Sequence, residues 1–307
     1  MSGGNNCLSK LWIRARSYNQ TINGVNAENL KKVTGIVRFF TSSSIVLGIS
    51  TALAVCFSST LYGITISPAL LLATFLSTIA VYSLNKVTDT AEDSINKPEQ
   101  TSNRQTYYLI LSISSFIISI AIGIIQGWAV FLVLLTPLFI GVIYSIKISK
   151  SLPRLKEILG VKSLLVAFSW AFTGSLLPAL TSRVAPEKIV LVFIYILIHT
   201  FVGTVLFDTL DIRGDDASNV KTIPIQLGKY GTRHLLLIVN SMLLLWLGFC
   251  IASGLFISYL PAAMFGMLYS YALIWYFTKT EGKRLHAELF IDGEWLPFIV
   301  VLQLLIH

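Results

Sequence analysis

The chain has 307 residues, carries 23 Lys+Arg against 15 Asp+Glu for a formal net charge of +8, and is 54% hydrophobic but only 12% charged. That charged share is about half of what soluble domains carry, and apolar runs of ~20 residues, long enough to cross a bilayer core, recur along nearly the whole length. Soluble enzymes and nucleic-acid binders are thereby excluded, leaving an all-α polytopic membrane bundle built as one domain.

Residues 1–34 are polar and basic and form an N-terminal segment, not a signal peptide, because the first apolar run starts only near Gly35. The remaining residues, 35–307, read as a single transmembrane domain of nine helices. The expected spans are 35–58, 64–85, 106–125, 128–146, 159–180, 188–210, 234–252, 255–277 and 290–306. With the N-terminus and the even-to-odd loops on one side, 21 of the 23 Lys+Arg fall there, and only Arg183 and Lys188 lie opposite. The positive-inside rule then places the protein in the cell membrane with its N-terminus cytoplasmic and its C-terminus outside. Fourteen of the fifteen acidic residues share the cytoplasmic side, Glu187 being the exception. Orientation depends little on Asp and Glu, so their gathering points to chemistry at that face. Cys7, Cys56 and Cys250 form no CxxC pair, which argues against a disulfide framework or a zinc site.

Two acidic sets stand at span ends. Asn85, Asp89 and Asp93 recur at i, i+4 and i+8 after the second span; Asp208, Asp211 and Asp215 recur at i, i+3 and i+7 after the sixth. Either spacing puts its three side chains on one face of a helix. Asn and Asp offer only hard oxygens, the ligand type that Mg²⁺ takes, and Mg²⁺ usually reaches a protein together with phosphate oxygens. Two such ends at the mouth of a membrane bundle fit two grips on one diphosphate. Each set precedes a Lys-containing loop with a proline, Pro98 or Pro224, a weak echo that hints at a duplicated half-bundle.

These residues resemble the UbiA superfamily of intramembrane prenyltransferases. Asn85, Asp89 and Asp93 match its first motif, N-x-x-x-D-x-x-x-D, and Asn96-Lys97-Pro98 matches the segment that follows it. Asp208, Asp211, Gly214 and Asp215, then Thr222-Ile223-Pro224 and Gly228, match the second, D-x-x-D-x-x-G-D with T-L-P and a Gly. The chain departs from the pattern in three places. Lys86 stands where many members have Asp. Gln100 stands where many have Arg, with Arg104 nearby. For the Y-x-x-x-K element there is Tyr144 with Lys147 one residue short, and Lys150, Arg154, Lys156 and Lys162 crowd the same stretch.

The resemblance implies nine helices, an active site at the cytoplasmic side, and Mg²⁺ as cofactor. It implies transfer of a prenyl or polyprenyl group from its diphosphate to a lipophilic or aromatic acceptor, with release of pyrophosphate. The two motifs would be the metal ligands. Tyr144, Lys147, Arg154 and Lys156 are the catalytic candidates, and Arg38, Lys97, Arg104 and Lys221 the diphosphate contacts. Arg38 also fits an interfacial anchor, and the loop lysines are explained in part by topology alone. The allylic cation left by carbon–oxygen cleavage needs a dry pocket and is stabilised by aromatic faces, for which Tyr82, Tyr144, Phe168, Trp170 and Phe207 are candidates. His199 reads as a hydrogen-bonded interior residue, and Glu92 and Asp216 as solvent-exposed. The loop after each motif is placed to act as a lid. Two alternatives stay open: transfer to a glyceryl-phosphate ether lipid of the archaeal type, and a cation or proton transporter that uses the intramembrane carboxylates.

Overall fold

A computed structural model describes residues 40, 43–96, 105–145, 158–279 and 283–306, with the backbone alone for residues 91 and 142–145. The chain divides into two compact units, Met1–Ser43 and Ser44–His307, and every helix considered below belongs to the second. In chain order these are α1 (Ile45–Tyr62), α2 (Pro68–Thr88), α3 (Thr90–Asn96), α4 (Gln105–Gln126), α5 (Trp128–Ser145), α6 (Val161–Ala179), α7 (Pro186–Ala217), α8 (Ile223–Ser253), α9 (Leu260–Lys279), α10 (Arg284–Phe290) and α11 (Trp295–Ile306). No strand occurs among the described residues. Prolines open α2 and α7 at their first positions, where a missing backbone N–H costs nothing and the fixed φ suits a helix. Ser67 caps α2 by accepting the Leu70 N–H at 3.3 Å.

Seven helices among the described residues are long and apolar enough to cross a membrane, and α5 is a further apolar helix. The last expected span, 290–306, is not one helix. Its first residue, Phe290, ends α10, residues 291–294 form a turn, and the span's helix is α11, which starts only at Trp295. Irregular backbone at such a place is tolerated when protein covers it, and Ile291 and Glu294 are buried there, at 5% and 4% exposure. The expected polar segment 1–34 and the start of the first span, residues 35–39, lie outside the described residues.

Helix α1 stands between two apolar clusters. Phe57 and Leu61 pack with Tyr195, Trp246, Trp295 and Phe298, while Val55 packs with Leu70, Leu134 and Leu177. Phe57 meets Tyr195 and Trp295 at ring distances of 5.4 and 5.3 Å. His199 lies in the same interior, fully buried, with Nδ1 2.9 Å from Ser270 Oγ, as the interior reading expected.

Helix α4 inverts the pattern of a soluble amphipathic helix. Its buried residues are Ser112, Ser115, Ser119 and Gly123, while Ile110, Ile113, Ile117 and Ile125 are exposed. Where lipid is the solvent, apolar side chains gain nothing by facing inward, so small residues line the contact and let backbones approach. Ser112 and Ser119 each donate 2.8 Å hydrogen bonds to carbonyls of α2, at Ala80 and Ala73. Ser119→Leu is expected to force α4 off α2 and to destabilise the protein by about 1–3 kcal/mol, the usual cost of overpacking. A thermal melt in detergent checks this, and an unchanged melting temperature would contradict the close approach.

Candidate active site

The first motif begins on α2 but does not stay on it. Thr88 is the last residue of α2, Asp89 is its C-cap at φ −98°, ψ 27°, and a new helix, α3, starts at Thr90. The expected continuous stack of Asn85, Asp89 and Asp93 is therefore bent at its centre. The register survives the bend, because the Asp89 N–H donates to the Asn85 carbonyl at 2.8 Å and the Asp93 N–H to the Asp89 carbonyl at 2.9 Å. All three side chains are half-buried, and so is Glu92, which was expected to be exposed. Lys86, the departure from the family pattern, donates from Nζ to Ser44 Oγ at 2.8 Å and lies 4.9 Å from the Tyr108 ring centre.

The second motif is built differently. Helix α7 has 32 residues, roughly 48 Å at 1.5 Å per residue, and overshoots a bilayer core of about 30 Å. Asp208, Asp211 and Asp215 ride on its last turns without a break. The two motif ends are thus not copies of one local structure, whatever their sequence echo. Asp208 and Asp215 are 3% and 2% exposed, and carboxylates so buried need partners. Lys162 supplies one cation to both: its Nζ is 3.2 Å from Asp208 Oδ1 and 3.0 Å from Asp215 Oδ2. Ser163 Oγ donates to Asp208 Oδ2 at 2.6 Å. Asp211 pairs instead with Arg284, the first residue of α10. Asp216 is exposed, as expected.

A hydrogen bond ties the segment after the first motif to the second motif. Asn96, the last residue of α3, accepts the Gly214 N–H of α7 through Oδ1 at 2.8 Å. A Cβ at Gly214 would overlap the Asn96 amide, so a larger residue there displaces that side chain and its hydrogen bond. The Asn of the segment after the first motif and the Gly inside the second are therefore two halves of one contact. Past the second motif, the expected Gly228 interrupts α8 at φ 64°, ψ 177°, a conformation that a residue with a Cβ adopts only with strain.

Behind the motifs lies a cavity of about 70 Å³ between α1, α2, α5 and α6. From α2 it is lined by Thr74, Ser77, Thr78, Val81, Tyr82 and Asn85, one helical face about 16 Å long by helix rise. From α6, which runs the opposite way, it is lined by Leu165, Val166, Ser169, Trp170 and Thr173. Asn85 and Leu165 mark the motif end, and Thr74 and Thr173 the far end. Among the aromatic candidates, Tyr82 and Trp170 line this cavity and are joined by a 3.2 Å hydrogen bond from Trp170 Nε1 to the Tyr82 hydroxyl. Phe168 does not: it is 39% exposed and stacks on Phe172. Phe207 packs beside the cluster of Val205, Leu206 and Phe277.

Arg38, Lys97, Arg104, Lys147, Arg154, Lys156 and the Tyr144 side chain lie outside the described residues. Lys221 is exposed at the entry to α8. Lys162 was one of several cations in a crowded stretch of sequence, Arg284 counted only as topological charge, and Asn96 only as part of a pattern. Ser163 carried no signal.

The six Asn and Asp side chains offer the hard oxygens suited to Mg²⁺. Among the described residues no three His, Cys, Asp or Glu side chains converge closely enough to hold a metal by themselves. A metal here would need further oxygens, from water or from a bound ligand, to complete its shell, which is how Mg²⁺ sites on phosphates are commonly built.

No curated protein sequence matches the chain at a significant level. Its fold is similar to that of a UbiA homologue from Archaeoglobus fulgidus bound to GPP and Mg²⁺, with a TM-score of 0.65 and 16% identity, covering 88% of this chain and 96% of that one. It is also similar to the apo UbiA homologue from Aeropyrum pernix K1, with a TM-score of 0.59, 14% identity, and coverage of 84% and 98%. A third likeness is to a structure concerned with digeranylgeranylglyceryl phosphate synthase in membranes, with a TM-score of 0.56, 15% identity, and coverage of 91% and 97%. At these identities the likeness establishes the fold. The UbiA prenyltransferase family model matches residues 45–292, most of the chain and both aspartate motifs. The chain belongs to the UbiA prenyltransferase family.

Proposed function

We propose that the protein transfers a prenyl group from a prenyl diphosphate to a lipophilic acceptor in a Mg²⁺-dependent reaction that releases pyrophosphate. One observation carries this reading: Asn85 of the first motif lines the end of a cavity that runs inward between α2 and α6, and the Asn96–Gly214 hydrogen bond ties the segment after that motif to the second, oxygen-rich motif. A prenyl diphosphate has that same division, a polyanionic head and an apolar tail. The solved relative with GPP and Mg²⁺ supports the same pairing of ligands.

In this reading Asn85, Asp89 and Asp93 hold the head from one side, and Asp208, Asp211 and Asp215 from the other. Mg²⁺, when bound, supplies positive charge against the charge that develops on the leaving pyrophosphate. Lys162 and Arg284 add cations at the second motif, where positive charge opposes the charge developing on the leaving group. The tail lies along Val81, Tyr82, Val166 and Trp170. These walls exclude water from the allylic cation left by carbon–oxygen cleavage, and the two rings offer it their faces. The acceptor nucleophile then forms the new bond to that carbon and gives up its proton to the released pyrophosphate or to solvent at the mouth.

We further read the site as cytoplasmic, with the N-terminus inside and the C-terminus outside, because 21 of 23 Lys+Arg fall on the motif side. A transporter would gather its ligands at the repeat interface near mid-membrane, with access from both sides. The carboxylates of both motifs stand instead at helix ends. The test is pyrophosphate release from radiolabelled prenyl diphosphates by purified protein in detergent, with a panel of aromatic, quinone-precursor and glyceryl-phosphate acceptors, with and without Mg²⁺. Mg²⁺-dependent transfer to one acceptor class establishes the reading, and no turnover with any prenyl diphosphate sinks it.

The cavity also makes a prediction about chain length. Thr173 lies at its far end and is 2% exposed. Thr173→Phe should leave the head unaffected and shorten the tail that fits. The expected result is a shift of kcat/KM of about tenfold or more in favour of the shorter prenyl diphosphate, since each buried methylene is worth about 0.8 kcal/mol. Equal losses for all lengths would place the tail elsewhere.

A further inference from the structure

Lys162 has an arrangement that a simple anchor does not need. Its ammonium lies 3.0–3.2 Å from carboxylate oxygens of Asp208 and Asp215, two residues two helical turns apart. It therefore spans the gap between the first and last carboxylates of the second motif. Both aspartates are buried, so without a cation between them two negative charges would face each other in a poorly solvated place. Lys162 itself keeps more freedom, with a side chain 24% exposed where those of its partners are 4% exposed. It is the second residue of α6, at the motif end of the helix whose Leu165 and Val166 line the cavity. Ser163 Oγ, on a short side chain, donates to Asp208 at 2.6 Å, so the long, more exposed lysine is the member of the group with reach to a second partner.

We propose that Lys162 is an exchangeable internal counter-ion of the second aspartate motif. It holds Asp208 and Asp215 together before substrate arrives, gives up those oxygens to the metal, and then turns its ammonium onto the diphosphate. The inference rests on the prenyl-diphosphate reading and goes beyond it by giving one lysine two successive partners. The physical reason is charge balance. A compact ammonium on a flexible four-carbon stem can satisfy carboxylates in one state and phosphate oxygens in the next, so neither state leaves a buried charge unpaired. An arginine spread over a planar fork would exchange partners less readily.

The first test uses wild-type protein in detergent and follows acylation of the Lys162 amine by mass spectrometry. Labelling should be slow without metal, roughly tenfold faster with Mg²⁺ alone, and slow again with Mg²⁺ plus inorganic pyrophosphate, as expected when charge-assisted bonds are lost and then replaced. A labelling rate indifferent to Mg²⁺, or one that pyrophosphate does not slow again, overturns the proposal. The second test compares Lys162→Met with wild type. Mn²⁺ binding without pyrophosphate, read by electron paramagnetic resonance, should tighten several-fold, because the competing cation is gone. Binding of pyrophosphate with Mg²⁺ should weaken about tenfold, the scale of losing one charged contact. A lysine that only braced the fold would weaken both, and that result rejects the exchange. If Lys162→Met does not fold, the labelling series decides alone. Turnover of a prenyl diphosphate is measured on the same preparation. Turnover without a labelling response rejects the exchange only, whereas the absence of both rejects the underlying reading as well.

Discussion

Asp89→Ala and Asp211→Ala are each expected to lower Mg²⁺-dependent pyrophosphate release by about 10³-fold, the scale of removing one preorganised charged group from a site that stabilises a leaving anion. The two residues come from different helix ends, Asp89 at the bend between α2 and α3 and Asp211 on α7. Equal losses at both would mean that the head is gripped from both sides. Asp211 is paired with Arg284, so its removal also frees a cation, and Arg284→Ala should cost less, about tenfold, because metal and Lys162 still neutralise the pyrophosphate. The measurement is kcat/KM for the prenyl diphosphate over a Mg²⁺ titration. Recovery of Asp211→Ala to wild-type rates at high Mg²⁺ would reduce that residue to an affinity role. An unaffected rate for either variant would remove its motif from the mechanism.

Gly214→Ala should be nearly as damaging, although the added methyl carries no charge. A Cβ at 214 would overlap the Asn96 amide, displacing it from the hydrogen bond that ties α3 to α7 and loosening the placement of the first motif against the second. Misplacement by about 1 Å can cost 10²-fold in rate, and a loss of about that size is expected, with a much smaller change in melting temperature. The partner substitution makes this specific. Asn96→Ala removes the overlap and the 2.8 Å hydrogen bond together. The double variant Asn96→Ala/Gly214→Ala should therefore recover part of what Gly214→Ala loses, a non-additivity expected only of residues in contact. Additive losses would show that the spacing of the motifs is set elsewhere.

The membrane character of the chain and its two aspartate sets were legible in the sequence, because both are local properties. A run of ~20 apolar residues is a span wherever it packs, and the i, i+3, i+7 spacing of Asp208, Asp211 and Asp215 puts them on one face of any continuous helix. The spacing of Asn85, Asp89 and Asp93 is equally regular, yet the backbone bends at Asp89. Residue spacing predicts a shared face only while the helix continues. The last span is expected from 290 to 306, yet its helix starts only at Trp295, after a turn over 291–294. Averaging over apolar side chains is blind to where the backbone changes direction. Aromatic composition could not separate Tyr82 and Trp170, which line the cavity, from Phe168, which faces outward.

Tertiary structure alone decided which charges meet. Lys162 is 53 residues from Asp215, Arg284 is 73 from Asp211, and Asn96 is 118 from Gly214. In the sequence Arg284 served only to orient the chain and Lys162 was one of several cations near the Y-x-x-x-K position, because the positive-inside rule counts charges by loop and says nothing of partners. Their partners follow from the order in which the helices pack. Once α6, α7 and α10 bring their ends together, buried carboxylates must take whatever cation stands within reach, and that reach is a property of the bundle rather than of any one segment.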